Sequence, residues 1–329
     1  MARVTSKDVA RAAGVSQATV SYVLNGRRDQ TISAVTQEKV LAAAHRLGYV
    51  PSAAARSLRT GRSEVVLCLI PDLTVSQATE EFKVELSRVL GDAGYGCVYL
   101  HHAGARQSLE DLWQHVHPAV VVAFGELDPA DADAVRHAGI GLVDGIFGPE
   151  SATLIGVDQQ ELGRIQVRYL AERGHRNIGY AAVADPREDP FCAPRRLGAE
   201  RMCRKLGLPE PLVVVLDDTP TSAERALTAW HRASVTAAAA FNDLTALAIM
   251  SAAQAAGLVV PDDLAVIGVD DLRVASLVSP RLTTIRMDLT LAARLLAAHI
   301  VALVDTAPVA TRAAPTDEQI FELITRQSA

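Results

Sequence analysis

Gln17, Ala18, Ser21 and Tyr22 fall on the outward face of an eight-residue helical stretch whose other face, Val20, Val23 and Leu24, is apolar. That outward face is polar and nearly uncharged, the chemistry that suits the edges of nucleic-acid bases. Cations surround it. Residues 1–62 hold ten lysines and arginines against three acids, a net +7, and because the 329-residue chain carries −6 in all, the remainder carries −13. A basic head on an acidic body implies a module that grips a polyanion, attached to something that does not. Catalytic constellations do not stand out. There is no Walker A motif, and Gly139-Ile140-Gly141 lacks the later glycine of a dinucleotide fingerprint. Gly14-Val15-Ser16-Gln17-Ala18 superficially resembles a nucleophile elbow, but no strand precedes it and the last glycine is absent. His101-His102 and the pair His115 and His117 have no matched cysteine or glutamate, so packed or solvated histidines account for them better than a metal site. Neither enzyme chemistry nor a cofactor or metal is expected.

The elements that must position the polar face are short and well punctuated. Thr5-Ser6-Lys7-Asp8 is a capping box that opens a helix through Ala13, with Val9, Ala10 and Ala13 inward. Gly14 can take the positive φ of a tight turn, Val15 plugs the core and Ser16 caps the helix Gln17 to Leu24, which Asn25-Gly26 stops. A third helix is expected from about Ala34 to Leu47, with Val40, Leu41, Ala44 and Leu47 inward and Gly48 as terminator. Two short helices joined by a glycine turn and braced by a third describe a helix-turn-helix unit, with a generic three-helix bundle as the alternative. The uncharged polar face ringed by cations favours the former.

Pro51 then precedes Ser52 to Arg59, an alanine-rich stretch that Thr60-Gly61 ends. Eight residues are too few for a stable isolated helix. From Val65 onward, apolar strands alternate with amphipathic helices, among them the strand Ile178–Val183, the helix Arg195–Leu206 and the strands Ala237–Phe241 and Ala265–Val269. Repeated βα units with near-continuous apolar strands imply parallel sheets covered on both faces, here in two sets with a cleft between two lobes. With 49% apolar and 21% charged residues the chain excludes wholesale disorder, and its length exceeds one core. No apolar run approaches the roughly 20 residues that span a bilayer, and the first residues lack the apolar block of a signal peptide, so a cytoplasmic location and no membrane partner are expected. Cys68, Cys97, Cys192 and Cys203 are scattered and are expected to be reduced and mostly buried.

Val4-Thr5, Asp8-Val9-Ala10, Ala13-Gly14-Val15-Ser16, Thr19-Val20-Ser21 and Val23-Leu24-Asn25 together resemble the head of a LacI/GalR-family transcriptional regulator. Leu47-Gly48-Tyr49, Pro51 and Ala55-Arg56-Ser57-Leu58 resemble that family's hinge. In the body, Val157-Asp158, Gly174-His175-Arg176, Arg195 with Gly198, Asn242-Asp243, Val269-Asp270-Asp271 and Leu282-Thr283-Thr284-Ile285 extend the resemblance to essentially the whole chain. It implies an α/β protein: a helix-turn-helix head at 1–48, a hinge at 49–63 and a two-lobed, periplasmic-binding-protein-like body with parallel sheets at 64–329. The first lobe would comprise about 64–160 and 290–320, the second about 161–289 and 321–329.

The resemblance also implies roles. Gln17, Ala18 and Tyr22 would read bases in the major groove, Gln17 by a bidentate contact to adenine and Ala18 by touching a thymine methyl. Thr5, Ser16, Thr19, Ser21 and Asn25 would hold phosphates. Paired hinges would fold together in the minor groove, with Ala55 in the hinge helix, Leu58 as the wedge and Arg59 as a nearby cation. Ordering a hinge costs about 10 kcal/mol, so it should require DNA and a second chain. Arg195, Asn242 and Asp270 would point into the cleft and bind polar groups of a small-molecule effector, with Asp72, Thr79 and Asp158 as weaker candidates. The expected partners are a pseudo-palindromic duplex operator, the effector and a second copy of the chain.

One departure bears on the effector. Where the family often carries paired aromatics after the first strand, this chain has Ala78-Thr79, and aromatic residues make up only 4%. Trp113 and Trp230 fall in expected helices, which leaves Phe124, Phe191 or Phe241 to compensate. A repressor governed by a sugar or another small metabolite is the leading reading. A regulator with an altered pocket is the first alternative. A small-molecule binding protein is the second, and it predicts an export signal and no basic head. A sugar-modifying enzyme would need a paired base and nucleophile in the cleft.

Overall fold

The computed structural model describes residues 4–24, 32–49, 63–72, 77–101, 116–146, 157–217, 219–305 and 316–329. The expected hinge helix lies outside them, as do two further elements that the alternating pattern of the body predicts, a helix at 109–115 and most of a strand at 154–157. The chain divides into two compact units, Met1–Glu64 and Val65–Ala329.

In the head, α1 (Ser6–Ala13), α2 (Gln17–Leu24) and α3 (Ala34–Leu47) enclose a small core of Val9, Ala10, Val20, Val40, Ala43 and Ala44. Gly14 closes α1 at φ 68°, in the left-handed region, and its N–H donates to the Ala10 carbonyl. On α3 the inward stripe is Val40, Ala43, Ala44 and Leu47. Leu41, expected inward, is 53% exposed. It lies one step of the helical wheel off the stripe, and a head this small has no second layer to receive it.

The body opens with β1 (Val65–Ile70), α4 (Gln77–Asp92), β2 (Gly96–His101), β3 (Val120–Ala123), α5 (Pro129–His137) and β4 (Gly141–Val143). The strands form a wholly parallel sheet in the order β2-β1-β3-β4. After α6 (Gln159–Glu172) come β5 (Ile178–Val183), α7 (Asp189–Lys205), β6 (Leu212–Leu216), α8 (Pro220–Arg232), β7 (Ala237–Ala240), α9 (Asp243–Ala255) and β8 (Ala265–Ile267). They repeat the pattern as β6-β5-β7-β8, again all parallel. The chain then runs through β9 (Thr284–Met287), α10 (Thr290–Asp305), the single turn α11 (Asp317–Ile320) and β10 (Phe321–Ile324), with β9 and β10 paired antiparallel.

The first lobe's core combines Val66, Phe82, Leu86 and Val122 with Ile285, Leu296, Ile300 and Phe321. The second lobe's cores lie on the two faces of its own sheet, around Trp230 and Ile249 on one side and Tyr180 and Met202 on the other. Residues 321–329, expected in the second lobe, are shared. Phe321 packs in the first lobe, whereas Ser328 Oγ donates to the Val266 carbonyl (2.6 Å) in the second. The helix α7 starts six residues before the expected Arg195: Pro190 occupies its first turn, where a missing N–H breaks no bond, and Pro194 is accommodated inside.

Where α6 and α7 cross, each presents a glycine to the other's backbone. A Cβ on Gly163 would stand 1.9 Å from the Arg195 carbonyl oxygen, and one on Gly198 would stand 1.9 Å from that of Gln160. Only hydrogen fits at either position. The crossing therefore brings the start of α6 against Arg195 on α7.

Candidate functional site

In the head, the carboxylate of Asp8 accepts hydrogen bonds from the Thr5 N–H (3.0 Å) and hydroxyl (2.7 Å), fixing the first turn of α1. Ser16 Oγ accepts from the Thr19 N–H (3.0 Å) and caps α2. Of the residues expected to meet DNA, Thr5, Ser16, Gln17 and Ala18 are exposed, and Thr19, Ser21 and Tyr22 are half-buried. Gln17 Nε2 donates to Ser6 Oγ at 2.8 Å. Asn25, Ala55, Leu58 and Arg59 lie outside the described residues.

In the body, three of the six expected effector residues converge at the carboxyl ends of β7 and β8. Arg195 is 4% exposed. Its guanidinium donates to the Phe241 carbonyl (2.9 Å) and to Gln159 Oε1 (3.0 Å), lies 4.9 Å over the Phe241 ring, and reaches within 3.9 Å of Asp270 Oδ1. Asp270 follows β8 at φ 107°, a backbone state that strains a side-chain-bearing residue by about 1–3 kcal/mol. Its Oδ1 is buried with no hydrogen-bond partner. Burial pushes its pKa up to about 6, with Arg195 opposing the shift and Glu188 adding to it. Asn242 caps α9, its Oδ1 accepting from the Thr245 N–H (2.9 Å) and hydroxyl (2.8 Å).

The other three are placed differently. Asp158 caps α6 by accepting from the Gln160 N–H (2.9 Å) and pairs with Arg164. It is its neighbour Gln159 that reaches Arg195. Asp72 is exposed just past β1, where its charge acts on Arg187 of the second lobe. Thr79 is half-buried on α4, and Ala78 is packed in the first lobe's core. The aromatic candidates are also accounted for. Phe124 is buried edge-on against Phe82 and Tyr99. Phe191 is half-buried against the second lobe's core, and Phe241 lies beneath Arg195. Trp230 is a core residue whose Nε1 donates to the Leu212 carbonyl (3.0 Å).

Two braces escaped the reading of the sequence. Gln166 is fully buried on α6, and its Nε2 donates to the Ala240 carbonyl at 2.8 Å and to those of Ile267 and Gly268 at 3.3 Å, tying together the ends of β7 and β8. Asp243, also fully buried, accepts from the Leu272 N–H (2.7 Å) and the Thr284 hydroxyl (2.5 Å), holding the loop that carries Asp270. Burial, with Asp270 and Asp271 nearby, pushes the Asp243 carboxyl up to about 7. A polar residue at an otherwise apolar helix position was the available signal for Gln166. For Asp243, the acid following the cap residue looked like ordinary helix chemistry.

A group whose folded pKa is raised stabilises the fold below its unfolded value and stops doing so as pH climbs through the folded one. Wild type should therefore lose stability relative to Asp243→Asn as pH rises from about 4 to about 7, by up to about 4 kcal/mol. Urea unfolding of both proteins across that range checks this; a constant difference would place the Asp243 pKa near the ordinary carboxylate value.

Beside the convergence point, the ends of β5, β6 and β7 open onto a cavity of about 700 Å³. Asp185, Glu188, Asp217, Glu224, Asn242 and Thr245 are among its walls, and no lysine, arginine or histidine lines it among the described residues. Ligands of open α/β sheets sit at such strand ends. Among the described residues no cluster of three or more His, Cys, Asp or Glu could hold a metal ion, and no helix is long and apolar enough to cross a membrane.

A helix-turn-helix unit followed in the chain by two parallel α/β lobes, with a strained acid and a buried arginine at the strand ends, defines a DNA-binding regulator with an effector-binding body. Residues 5–52 match the profile of the bacterial regulatory proteins, lacI family, and residues 167–329 that of the periplasmic binding protein-like domain. The HTH-type transcriptional repressor PurR of Vibrio campbellii is 34% identical over 297 residues, covering 85% of this chain and 86% of that protein. With that extent of likeness, the chain belongs to the lacI family. Catabolite control protein A of Priestia megaterium is 28% identical, covering 86% and 87%. Among solved structures, the lac repressor dimer bound to operator and the anti-inducer ONPF shares the fold with a TM-score of 0.77 at 24% identity, covering 99% of each chain. The transcriptional regulator CelR–cellobiose complex gives 0.65 at 26%, covering 99% and 100%.

Proposed function

We propose that this protein is a homodimeric repressor acting in the cytoplasm, without enzymatic activity of its own, that reads a pseudo-palindromic operator and is governed by a small polar metabolite. Gln17, Ala18 and Tyr22 read bases. Thr5, Ser16, Thr19, Ser21 and Asn25 hold phosphates, and Ala55, Leu58 and Arg59 serve the hinge. Arg195, Asn242 and Asp270 form the centre of the effector site, with Asp72, Thr79 and Asp158 at its margin. The observation that carries the effector reading is Asp270 Oδ1, a buried acceptor without a donor beside a buried arginine. Native proteins leave few such atoms unsatisfied, and a ligand hydroxyl or amine would complete this one. The cavity wall, where Glu188 and Glu224 stand beside the arginine-paired Asp185 and Asp217 and no lysine, arginine or histidine lines it among the described residues, favours a donor-rich neutral or cationic molecule over an anion.

Bound ligand favours one relative orientation of the two lobes and so one spacing of the paired hinges. A coupling of about 1–3 kcal/mol would change operator affinity some 5- to 150-fold. Selection of bound duplexes from a random pool, repeated with a panel of metabolites, tests the whole reading. It should return a two-fold symmetric site and at least one metabolite that changes its retention. The absence of any preferred sequence under every addition would sink it. In the same assay Gln17→Ala should relax preference at one base position per half-site while leaving nonspecific binding unchanged.

A further inference from the structure

We infer that Ser6 is a specificity-determining residue: its hydroxyl fixes the side-chain amide of Gln17 in the orientation that reads the operator. This rests on the assignment of Gln17 as a base-contacting residue and adds a second residue, from a different helix, to that contact.

Gln17 is the first residue of α2 and is exposed, so its three side-chain torsions are otherwise free to rotate. An amide with free terminal torsion presents its oxygen and nitrogen in either order, and the two orders ask for opposite patterns on a base. Ser6 restrains it: in the structure its oxygen holds Nε2, not Oε1, at 2.8 Å. It is the first residue of α1, and the cap bonds from Thr5 to Asp8 hold that turn without using the Ser6 side chain. The Ser16 cap on Thr19 holds the start of α2 in the same way. Both anchors of the 2.8 Å bond from Gln17 Nε2 to Ser6 Oγ are therefore fixed by local backbone chemistry.

The bond also leaves the reading atoms available. Nε2 carries two hydrogens, one on the same side as Oε1 and one on the opposite side. The latter can serve Ser6. Oε1 and the former then remain as an adjacent acceptor and donor, the pair that matches adenine N6–H and N7 in the major groove. The Ser6 hydroxyl hydrogen is left over as a further donor at the same edge. Ser6 thus acts on specificity through Gln17, as a positioning residue, and one fewer rotor must be frozen when DNA binds.

The test is selection from a random duplex pool with the full-length wild type, Ser6→Ala, Ser6→Thr, Gln17→Ala and the double variant Ser6→Ala/Gln17→Ala, each also titrated with sonicated nonspecific DNA. Ser6→Ala should weaken preference about 2- to 10-fold at the one position per half-site that Gln17→Ala also affects. Ser6→Thr, which keeps the hydroxyl, should restore it, and the double variant should match Gln17→Ala alone. Nonspecific affinity should stay at the wild-type value throughout. A changed profile in Gln17→Ala with an unchanged one in Ser6→Ala overturns the positioning role while leaving the base contact intact. Equal loss at every position, or lost nonspecific affinity, shows that Ser6 merely supports the head and also overturns it. An unchanged profile in Gln17→Ala removes the base contact and the positioning role together.

Discussion

Alanine at Gly198 should lower the melting temperature of the body by about 6–12 °C and abolish its response to any effector. The added Cβ would lie 1.9 Å from the carbonyl oxygen of Gln160, a backbone atom that no rotamer change can move aside. Relief requires α6 and α7 to separate, and overpacking of this kind costs about 3 kcal/mol, at the upper end of the usual range. For a body of this size that is the quoted loss in melting temperature. The same separation pulls apart the bonds from Arg195 on α7 to Gln159 on α6 and to the Phe241 carbonyl, so the proposed effector site loses its arginine before the fold is lost. Gly163→Ala should behave alike, because its Cβ meets the carbonyl of Arg195 itself. Thermal melts with operator titrations at room temperature provide the check. A variant that melts like wild type would mean the two helices part easily.

Arg195→Ala should leave operator binding in place and erase the ligand's effect on it. The substitution strips donors from the Phe241 carbonyl and from Gln159, uncovers the Phe241 ring, and leaves Asp270 buried without its only nearby cation among the described residues. Removing one partner of a buried pair costs about 3–5 kcal/mol, and the 3.9 Å separation argues for the lower figure. Asp270 would answer by taking up a proton. With Arg195 no longer opposing the effect of burial, its pKa should move above the present value of about 6. Adding Asp270→Asn should therefore recover part of the lost stability at neutral pH but none of the response. Operator affinity measured with and without the active metabolite, beside unfolding curves at pH 7, separates the two effects. A normal response in Arg195→Ala would place the arginine outside the ligand contacts.

Local chemistry made the head readable almost to the residue. Caps and glycines announce where α1 and α3 begin and end and where α2 begins, and only Leu41 faces the unexpected way, because choosing a neighbouring row of the helix for one position costs nothing until a core of known size is present. The strands of the body were equally legible as apolar runs. Arg195, Asn242 and Asp270 were picked out through their places in a recognised pattern and at strand ends; Arg195 comes within 3.9 Å of Asp270, and Asn242 follows the Phe241 carbonyl to which Arg195 donates. What pattern could not convey is which polar atoms are already used. Asp158 and Asn242 carry the same cap chemistry, yet Asn242 lines the cavity and Asp158 does not. Gln166 and Asp243 do their work across 74 to 102 and across 29 to 41 residues of sequence, respectively, so no local spacing reveals them. The close crossing at Gly163 and Gly198 was visible only as the landmark Gly198, with its partner unmarked.

The mixed ancestry of the first lobe's core has a consequence for how the chain matures. Val66, Phe82 and Val122 wait for Ile285, Leu296, Ile300 and Phe321 before their cluster is complete, whereas the second lobe draws its cores almost wholly from 167–282. During synthesis, at about 5–20 residues per second, the lobe encoded later can close first, while the earlier one stays open for several seconds with apolar surface uncovered. The amino-terminal half is thus the stretch on which chaperones would act, and truncation within α10 or β10 should yield aggregates built from the lobe that was translated first.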